Sequence, residues 1–242
     1  MNDPVLYDNF ITNVCGVNIP RVKNELLMFA DTFEALLATS EKEFNAFVKN
    51  THSSNSARAN NAKVLIPTRA IISIKAILFE LKDRGRCNAL PTPAMLAALD
   101  AVQMNELRFQ RSQAIQDKEQ ESQSTLGALD VPKLIPKTYD SFMRAFENLA
   151  ARMKGANGTT LDYLLRDTNG NYEAAWASRR QKLKACTHHG GPNFRHDCES
   201  LSSLFLEHIG TEGTGSDIVK RFERNKDGFQ CYRALYAHYR NE

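Results

Sequence analysis

Apolar residues recur at three- and four-residue spacing along most of the chain, and no stretch alternates apolar and polar residues as a β-strand does. Residues 4–50 hold several short helical patterns, and Ser40 with Glu43 fits a capping box at the start of one of them. A longer pattern opens at Pro67 and ends near Gly85. Its apolar face consists of Ile71, Ile74, Ile77, Leu78 and Leu81. The pattern predicts an all-α fold that begins with a compact bundle of short helices.

Two polar stretches interrupt these patterns. Residues 51–63, THSSNSARANNAK, predict a solvated loop without folded structure. Residues 110–137 are rich in Gln, Ser and charge and contain two prolines, which is typical of a frayed helix that leads into a linker. We therefore predict two small helical bundles joined by a polar helix or linker. The predicted boundaries are an amino-terminal helical module at 1–110, a linker at 111–136 and a second helical domain at 137–242.

The second half of the chain predicts a series of short helices. They cover residues 142–155, 161–165, 172–183 and 201–209, and a helical hairpin follows with a turn at 225–228 whose residues tolerate positive φ. Large apolar residues on these helices are expected to hold the domain together, although the aromatic stripe of the hairpin also fits a surface that faces a partner. These residues are Phe142, Phe146, Trp176, Phe222, Phe229, Tyr232, Leu235 and Tyr239.

Composition limits the classes of protein to consider. Among the 242 residues, 42% are hydrophobic and 24% are charged, as in ordinary globular proteins, so disorder does not describe the whole chain. The net charge of +3 is too small to indicate nucleic-acid binding by itself. Five cysteines, an odd number spread through a long chain, predict reduced thiols. No membrane span or signal peptide is recognisable, so we expect a cytoplasmic or nuclear protein.

The segment CTHHGGPNFRHDC is the densest group of metal-ligand residue types. Thiolates and imidazoles are the usual ligands of zinc, and the candidates are Cys186, His188, His196 and Cys198. The spacing differs from that of a zinc knuckle, and residues 190–192 fit a loop between two helices. Two interpretations therefore stay open: a zinc site, or buried cysteines beside a plain loop. We expect no other cofactor.

The segment ASRRQKLKAC places four cations within barely two helical turns: Arg179, Arg180, Lys182 and Lys184. Contact with nucleic-acid phosphates and a solvated helix face are both consistent with it. No phosphate-binding glycine loop, nucleophile with a neighbouring base or convincing acid–base carboxylate pair is recognisable. We therefore predict no catalytic residues, no enzymatic activity and no small-molecule substrate.

From residue 137 onward, the order of motifs resembles the Gag-like, capsid-type region of copia-type LTR retrotransposons. In that family an aromatic-containing helix is followed by L.Y..RD, a loop, a helix before a glycine-rich segment, and a final F....DGR.A..AL..HYE. The matching positions here are Leu161, Tyr163, Arg166, Asp167, Phe222, Asp227, Gly228, Ala234, Leu235, His238 and Tyr239. The first unit, with FEALLATSEKEFNAFVKN and LPTPAMLAAL, resembles the SAM-like helical module that precedes this region.

The resemblance implies a structural protein, a capsid subunit that forms homo-oligomers around element RNA and has no membrane partner. The zinc knuckle that usually follows such a capsid is absent, as are protease, integrase and reverse transcriptase regions. We therefore expect a fragment, a degenerate copy or a domesticated Gag. Two non-enzymatic alternatives stay open, a nucleic-acid-binding module and an adaptor for a host protein.

Overall fold

Helices make up nearly all the regular structure of the computed structural model. It describes residues 3–59, 62–123, 131, 138–166, 169–209 and 213–240. Within these ranges no strand occurs, and an isolated bridge joins Lys154 to Thr160. The predicted all-α fold is confirmed. Residues 124–130 and 132–136 of the predicted linker, Asp167, and residues 210–212 of the predicted glycine-rich turn lie outside the described residues.

By its packing contacts the chain divides into two units. Unit 1 comprises residues 1–85 and 89–124, and unit 2 comprises residues 86–88 and 125–242. This division lies about midway through the predicted linker. None of the described helices has the length and apolar composition that a membrane span requires.

Unit 1 is a bundle of helices, several of which begin at a capping side chain. Its helices are α1 (Pro4–Asn9), which continues as a π-helical turn (Phe10–Val14), α2 (Pro20–Phe29), α3 (Phe33–Ala38), α4 (Glu41–Ser53), α5 (Thr68–Arg86), α6 (Pro93–Ala97) and α7 (Ala101–Gln123). The predicted capping box is confirmed, since the Glu43 amide donates to Ser40 Oγ at 3.1 Å and the Ser40 amide donates to Glu43 Oε2 at 2.6 Å.

The prediction of an unfolded loop at 51–63 was wrong for most of that segment. Helix α4 continues to Ser53, and a 3-10 turn covers Ser54–Ala57. The buried Asn55 side chain donates to the Val64 carbonyl at 2.6 Å and accepts from the Val64 amide at 2.8 Å. Because one amide side chain satisfies both backbone groups of Val64, it ties the 3-10 turn to that residue.

Unit 2 is a helical bundle built around stacked aromatic rings. Its helices are α8 (Tyr139–Ala150), α9 (Arg179–Cys186), α10 (Gly191–His208), α11 (Thr214–Glu223) and α12 (Gly228–Arg240). The Phe146 ring lies 4.2 Å from the ring of Phe205 on α10 and 5.5 Å from the ring of Phe142. Helix α10 packs against both α11 and α12, so the carboxyl-terminal hairpin closes this core.

Two helices predicted in unit 2 are shorter than expected. Residues 161–164 form a 3-10 turn, and α9 begins only at Arg179, where Ser178 Oγ accepts from the Gln181 amide at 3.2 Å. Trp176 therefore lies in the preceding turn, half-buried, and its indole nitrogen donates to the Asn171 carbonyl at 3.2 Å. The cap decides where the helix starts because the apolar spacing continues upstream of it.

The hairpin turn also differs from its prediction in the role of its glycine. Positive φ occurs at Lys226, with a value of 50°, and not at Gly228, which begins α12. A Cβ atom at Gly228 would lie 2.5 Å from the Ser202 amide nitrogen and 2.8 Å from the Cys198 carbonyl oxygen. Gly228 is therefore required by the close approach of α12 to α10, and not by turn conformation.

Candidate functional site

Unit 2 contains a buried polar cluster around the 3-10 turn, α9 and the first half of α10. We define the polar cluster as Thr159, Tyr163, Arg166, Thr187, His189 and Asp197. Two threonine hydroxyls within it, those of Thr159 and Thr187, are 3.2 Å apart and buried. Tyr163 and Arg166 also belong to the motif that resembles the retrotransposon Gag region, so their contacts in the polar cluster show which groups these two motif residues bind.

Arg166 connects the 3-10 turn to the end of α9. Its Nε donates to the Tyr163 carbonyl at 3.0 Å, and its two terminal nitrogens donate to the carbonyls of Ala185 and Thr187. The last carbonyls of a helix lack partners within the helix, and a guanidinium can satisfy two of them at once. Burial lowers the pKa of Arg166 from its ordinary value. Arg166 therefore acts as a side-chain cap on α9.

Asp197 anchors the loop that follows α8. It is buried on α10, where its carboxylate accepts from the Ala156 amide at 2.6 Å and from the Tyr163 hydroxyl at 3.1 Å. Gly155 lies so close that a Cβ atom there would be 2.5 Å from Asp197 Oδ2. Burial raises the pKa of the carboxyl, an effect that the hydrogen bonds from Ala156 and Tyr163 partly offset. This geometry holds a loop in place and leaves the carboxylate enclosed.

His189 packs within an aromatic group of unit 2. Its Nε2 is 3.2 Å from the Tyr163 carbonyl, an arrangement in which the nitrogen must donate. The imidazole ring centroid lies 5.4 Å from that of Phe194 and 4.7 Å from that of Phe229. Burial lowers the pKa of His189, which favours the neutral ring.

The four predicted zinc ligands are not brought together. Cys186 and Cys198 are buried, whereas His188 is exposed and the His196 side chain is 67% exposed beside Glu199. Burial raises the pKa of both thiols, that of Cys198 to about 12, and so disfavours the thiolate form that binds zinc. Within the described ranges, no group of three or more His, Cys, Asp or Glu side chains is placed to hold a metal ion.

The predicted phosphate contacts on α9 have partners inside unit 2. Arg180 donates to the Ala151 carbonyl at 2.7 Å, and Lys182 Nζ lies 3.6 Å from the centroid of the Tyr172 ring. Lys184 Nζ lies 3.4 Å from a carboxylate oxygen of the buried Asp162. Of these three cations Arg180 is exposed, whereas Lys182 and Lys184 are partly buried. The nucleic-acid contact at α9 stays a prediction. RNA phosphates would have to compete with these internal partners for the side chains of Arg180, Lys182 and Lys184.

A cavity of about 320 Å³ opens beside α9. Arg166, Gly170, Gln181, Lys184 and Ala185 line it. The two cations among them are directed at oxygens of the protein, Arg166 at backbone carbonyls and Lys184 at the Asp162 carboxylate. Both cations of the cavity are therefore already engaged within unit 2, Arg166 by hydrogen bonds and Lys184 by an ion pair.

The predicted packing residues other than Trp176 lie in one core. Phe142, Phe146, Tyr232 and Leu235 are buried, and the other three, Phe222, Phe229 and Tyr239, pack partly buried against them. The Tyr239 ring stacks on the ring of Tyr139 with centroids 4.6 Å apart. The carboxyl-terminal aromatic stripe is therefore largely intramolecular.

Sequence reasoning missed Asp197, the residue that connects α10 to the loop after α8. A signal was present, because Asp197 lies on the apolar stripe of α10, three residues after Phe194 and four before Leu201. A carboxylate on an apolar helix face needs hydrogen-bond donors from elsewhere in the fold.

Comparison with protein-family models, with curated proteins and with solved structures found no match for this chain.

Proposed function

We propose that this chain is a Gag-like, capsid-type structural protein of a retrotransposon that self-associates and packages element RNA. The observation that supports it is the position of the resemblance residues in unit 2. Tyr163 and Arg166 join the 3-10 turn to α10 and α9, whereas Gly228, Leu235 and Tyr239 pack α12 onto α10 and α8. The motif is thus a set of residues that fix helices relative to one another.

Residues with such contacts suit a building block better than a catalyst. The ionisable groups of the polar cluster, Arg166, His189 and Asp197, each bind backbone groups of the same unit. Their hydrogen bonds hold the helices and loops of unit 2 in one arrangement. A subunit of a symmetric assembly needs the same arrangement in every copy.

RNA packaging is the part of the proposal that rests on the resemblance. The net charge of +3 gives weak electrostatic attraction over the whole chain. Arg180 on α9 is exposed, although it also donates to the Ala151 carbonyl, and it is the cation of this stretch that RNA would reach first.

The test is the mass of the purified full chain by light scattering, over a hundredfold concentration range at low and high salt. Growth into large particles is the expected outcome, and treatment with nuclease shows whether RNA holds them together. A monomer at every concentration, with or without added RNA, would contradict the proposal. Arg180→Glu is expected to reduce the nucleic acid that co-purifies, while the exposed α8 variant Arg144→Glu serves as its control.

A further inference from the structure

We propose that the turn after α8, residues 151–162, and helix α9 together form a surface that binds the phosphates of RNA. The surface, named the basic surface, consists of Arg152, Lys154, Arg179, Arg180, Lys182 and Lys184. This inference rests on the proposed function, because it names the region through which the assembly would hold its RNA. It adds Arg152 and Lys154 to the cations of α9.

Positive charge is concentrated in the two segments that carry the basic surface. Residues 151–162 and 178–188 contain six Lys and Arg residues and one acid, Asp162, which gives a formal net charge of +5. The whole chain has a net charge of +3, so all its other residues together carry −2. The small total charge therefore conceals one strongly basic region, and such a region attracts polyanions.

Three contacts hold the two segments side by side in unit 2. Arg180 donates to the Ala151 carbonyl at 2.7 Å, and Lys184 Nζ lies 3.4 Å from a carboxylate oxygen of Asp162. The two buried threonine hydroxyls of the polar cluster, 3.2 Å apart, form the third contact. The cations of the turn and those of α9 therefore lie in one region of the unit.

The turn places Lys154 near the ion pair of Asp162 with Lys184. An antiparallel bridge pairs Lys154 with Thr160, and the side chains of directly paired residues share one face. Thr160 Oγ1 donates to Asp162 Oδ1 at 2.6 Å, while Asp162 Oδ2 faces Lys184. Lys154 is exposed, whereas Asp162 is 3% exposed. One carboxylate cannot neutralise both lysines, so the region keeps an excess of positive charge.

The chemistry of the basic surface fits RNA better than a protein or a lipid bilayer. Protein interfaces have a core of apolar and aromatic side chains, whereas nucleic-acid interfaces are polar and positively charged. Across the described part of the chain, none of the exposed large apolar side chains lies in residues 151–162 or 178–188. A bilayer would also lack an apolar anchor there. RNA supplies the negative charge and needs no such anchor.

The experiment measures binding of the full chain to a fluorescently labelled oligouridylate by anisotropy, at a series of salt concentrations. Arg152→Glu and Lys154→Glu each place a carboxylate against the phosphates, so the dissociation constant at low salt should rise by at least about tenfold. The loss of one contact to a single strand should reduce the slope of log K against log salt by about 0.7.

Arg221→Glu on α11 is the matched control, because it makes the same change of charge at an exposed cation of unit 2. It should keep both the dissociation constant and the slope near those of the natural chain. Circular dichroism verifies that each variant keeps its helix content. In a second measurement, the full chain is irradiated with a thiouridine-containing oligouridylate. The cross-linked peptides are expected to come from residues 151–162 and 178–188.

The outcomes separate this inference from the proposed function. Unchanged RNA binding in both Arg152→Glu and Lys154→Glu, or equal weakening by Arg221→Glu, would overturn the inference and leave assembly standing. A natural chain that binds phosphatidylserine vesicles but not the oligouridylate would overturn both the inference and RNA packaging. A natural chain that binds the oligouridylate through these residues, yet stays monomeric with it, would support the inference and contradict assembly.

Discussion

Gly228 lies where the backbone of α12 meets the backbone of α10, with space for a hydrogen atom and not for a methyl group. In Gly228→Ala the new Cβ would be 2.5 Å from the Ser202 amide nitrogen, so α12 must shift. We expect a loss of about 1–3 kcal/mol in the free energy of unfolding, measured by chemical denaturation. Gly85→Ala is the control, since its Cβ would meet only the Leu90 side chain at 3.8 Å.

For Gly85→Ala we expect either no change or a gain of up to about 1 kcal/mol, because alanine favours the helical conformation. Equal effects of the two substitutions would contradict the close approach of α12 to α10. A loss of stability in Gly228→Ala but not in Gly85→Ala would show that the lack of space at Gly228, and not the replacement of glycine as such, causes the loss.

Asp197 should make stability depend on pH. Burial raises its pKa in the folded protein above its value in the unfolded chain, so the folded state holds the proton more tightly. The stability from this group is present below the unfolded pKa of roughly 4 and is lost as pH rises through the folded value. Asp197→Asn removes the titration, so the decline in the free energy of unfolding over this range should be absent from the variant.

The pH dependence is measured by chemical denaturation at a series of pH values. Glu207→Gln, an exposed carboxyl replacement on the same helix, should keep the decline seen in the natural chain. A decline that persists unchanged in Asp197→Asn would show that another group causes it.

At the scale of single elements, α9 depends on a side chain outside it. Arg166 donates to the Ala185 and Thr187 carbonyls at its carboxyl end. Lysine keeps the charge but lacks the planar fork that reaches two carbonyls, so Arg166→Lys should lose about 1–3 kcal/mol of stability. Amide hydrogen exchange over residues 179–186 should become faster, because the helix end frays.

The control for this prediction is Arg144→Lys, on the exposed side of α8. It should leave both the free energy of unfolding and the exchange of α9 unchanged. Unaltered exchange in Arg166→Lys would show that α9 is held by its packing alone, through residues such as the buried Leu183.

At the scale of the whole molecule, the division into two units predicts separate folding. A fragment of residues 125–242 should give a helical circular dichroism spectrum and a cooperative melt. Its stability should be lower than that of unit 2 in the full chain, because the fragment lacks residues 86–88. In the full chain Arg86 Nε donates to the Asn157 carbonyl at 2.7 Å, and the Arg86 carbonyl accepts from the His188 amide at 2.8 Å. A spectrum of unfolded chain would indicate one cooperative domain.

The fold class and the start of several helices could be predicted from the amino-acid sequence, because those signals are local. Capping and apolar periodicity act within one or two helical turns, so the Ser40–Glu43 box and the stripe containing Phe142 and Phe146 could be predicted. The same local rules misplaced the start of α9, where continuing apolar spacing concealed the cap at Ser178.

Which polar groups are paired and which surfaces are covered depends on contacts between residues that are far apart in the chain. Asn55 meets a residue nine positions away, Asp197 meets Ala156 forty-one positions away, and Gly228 is required by the backbone of α10. These partners lie beyond the reach of any helical period, and the need to satisfy buried hydrogen bonds does not specify where the partner comes from. The 57% exposure of Phe109 likewise depends on how α7 packs in unit 1, because an apolar residue in a helical sequence fits either a core or an exposed face.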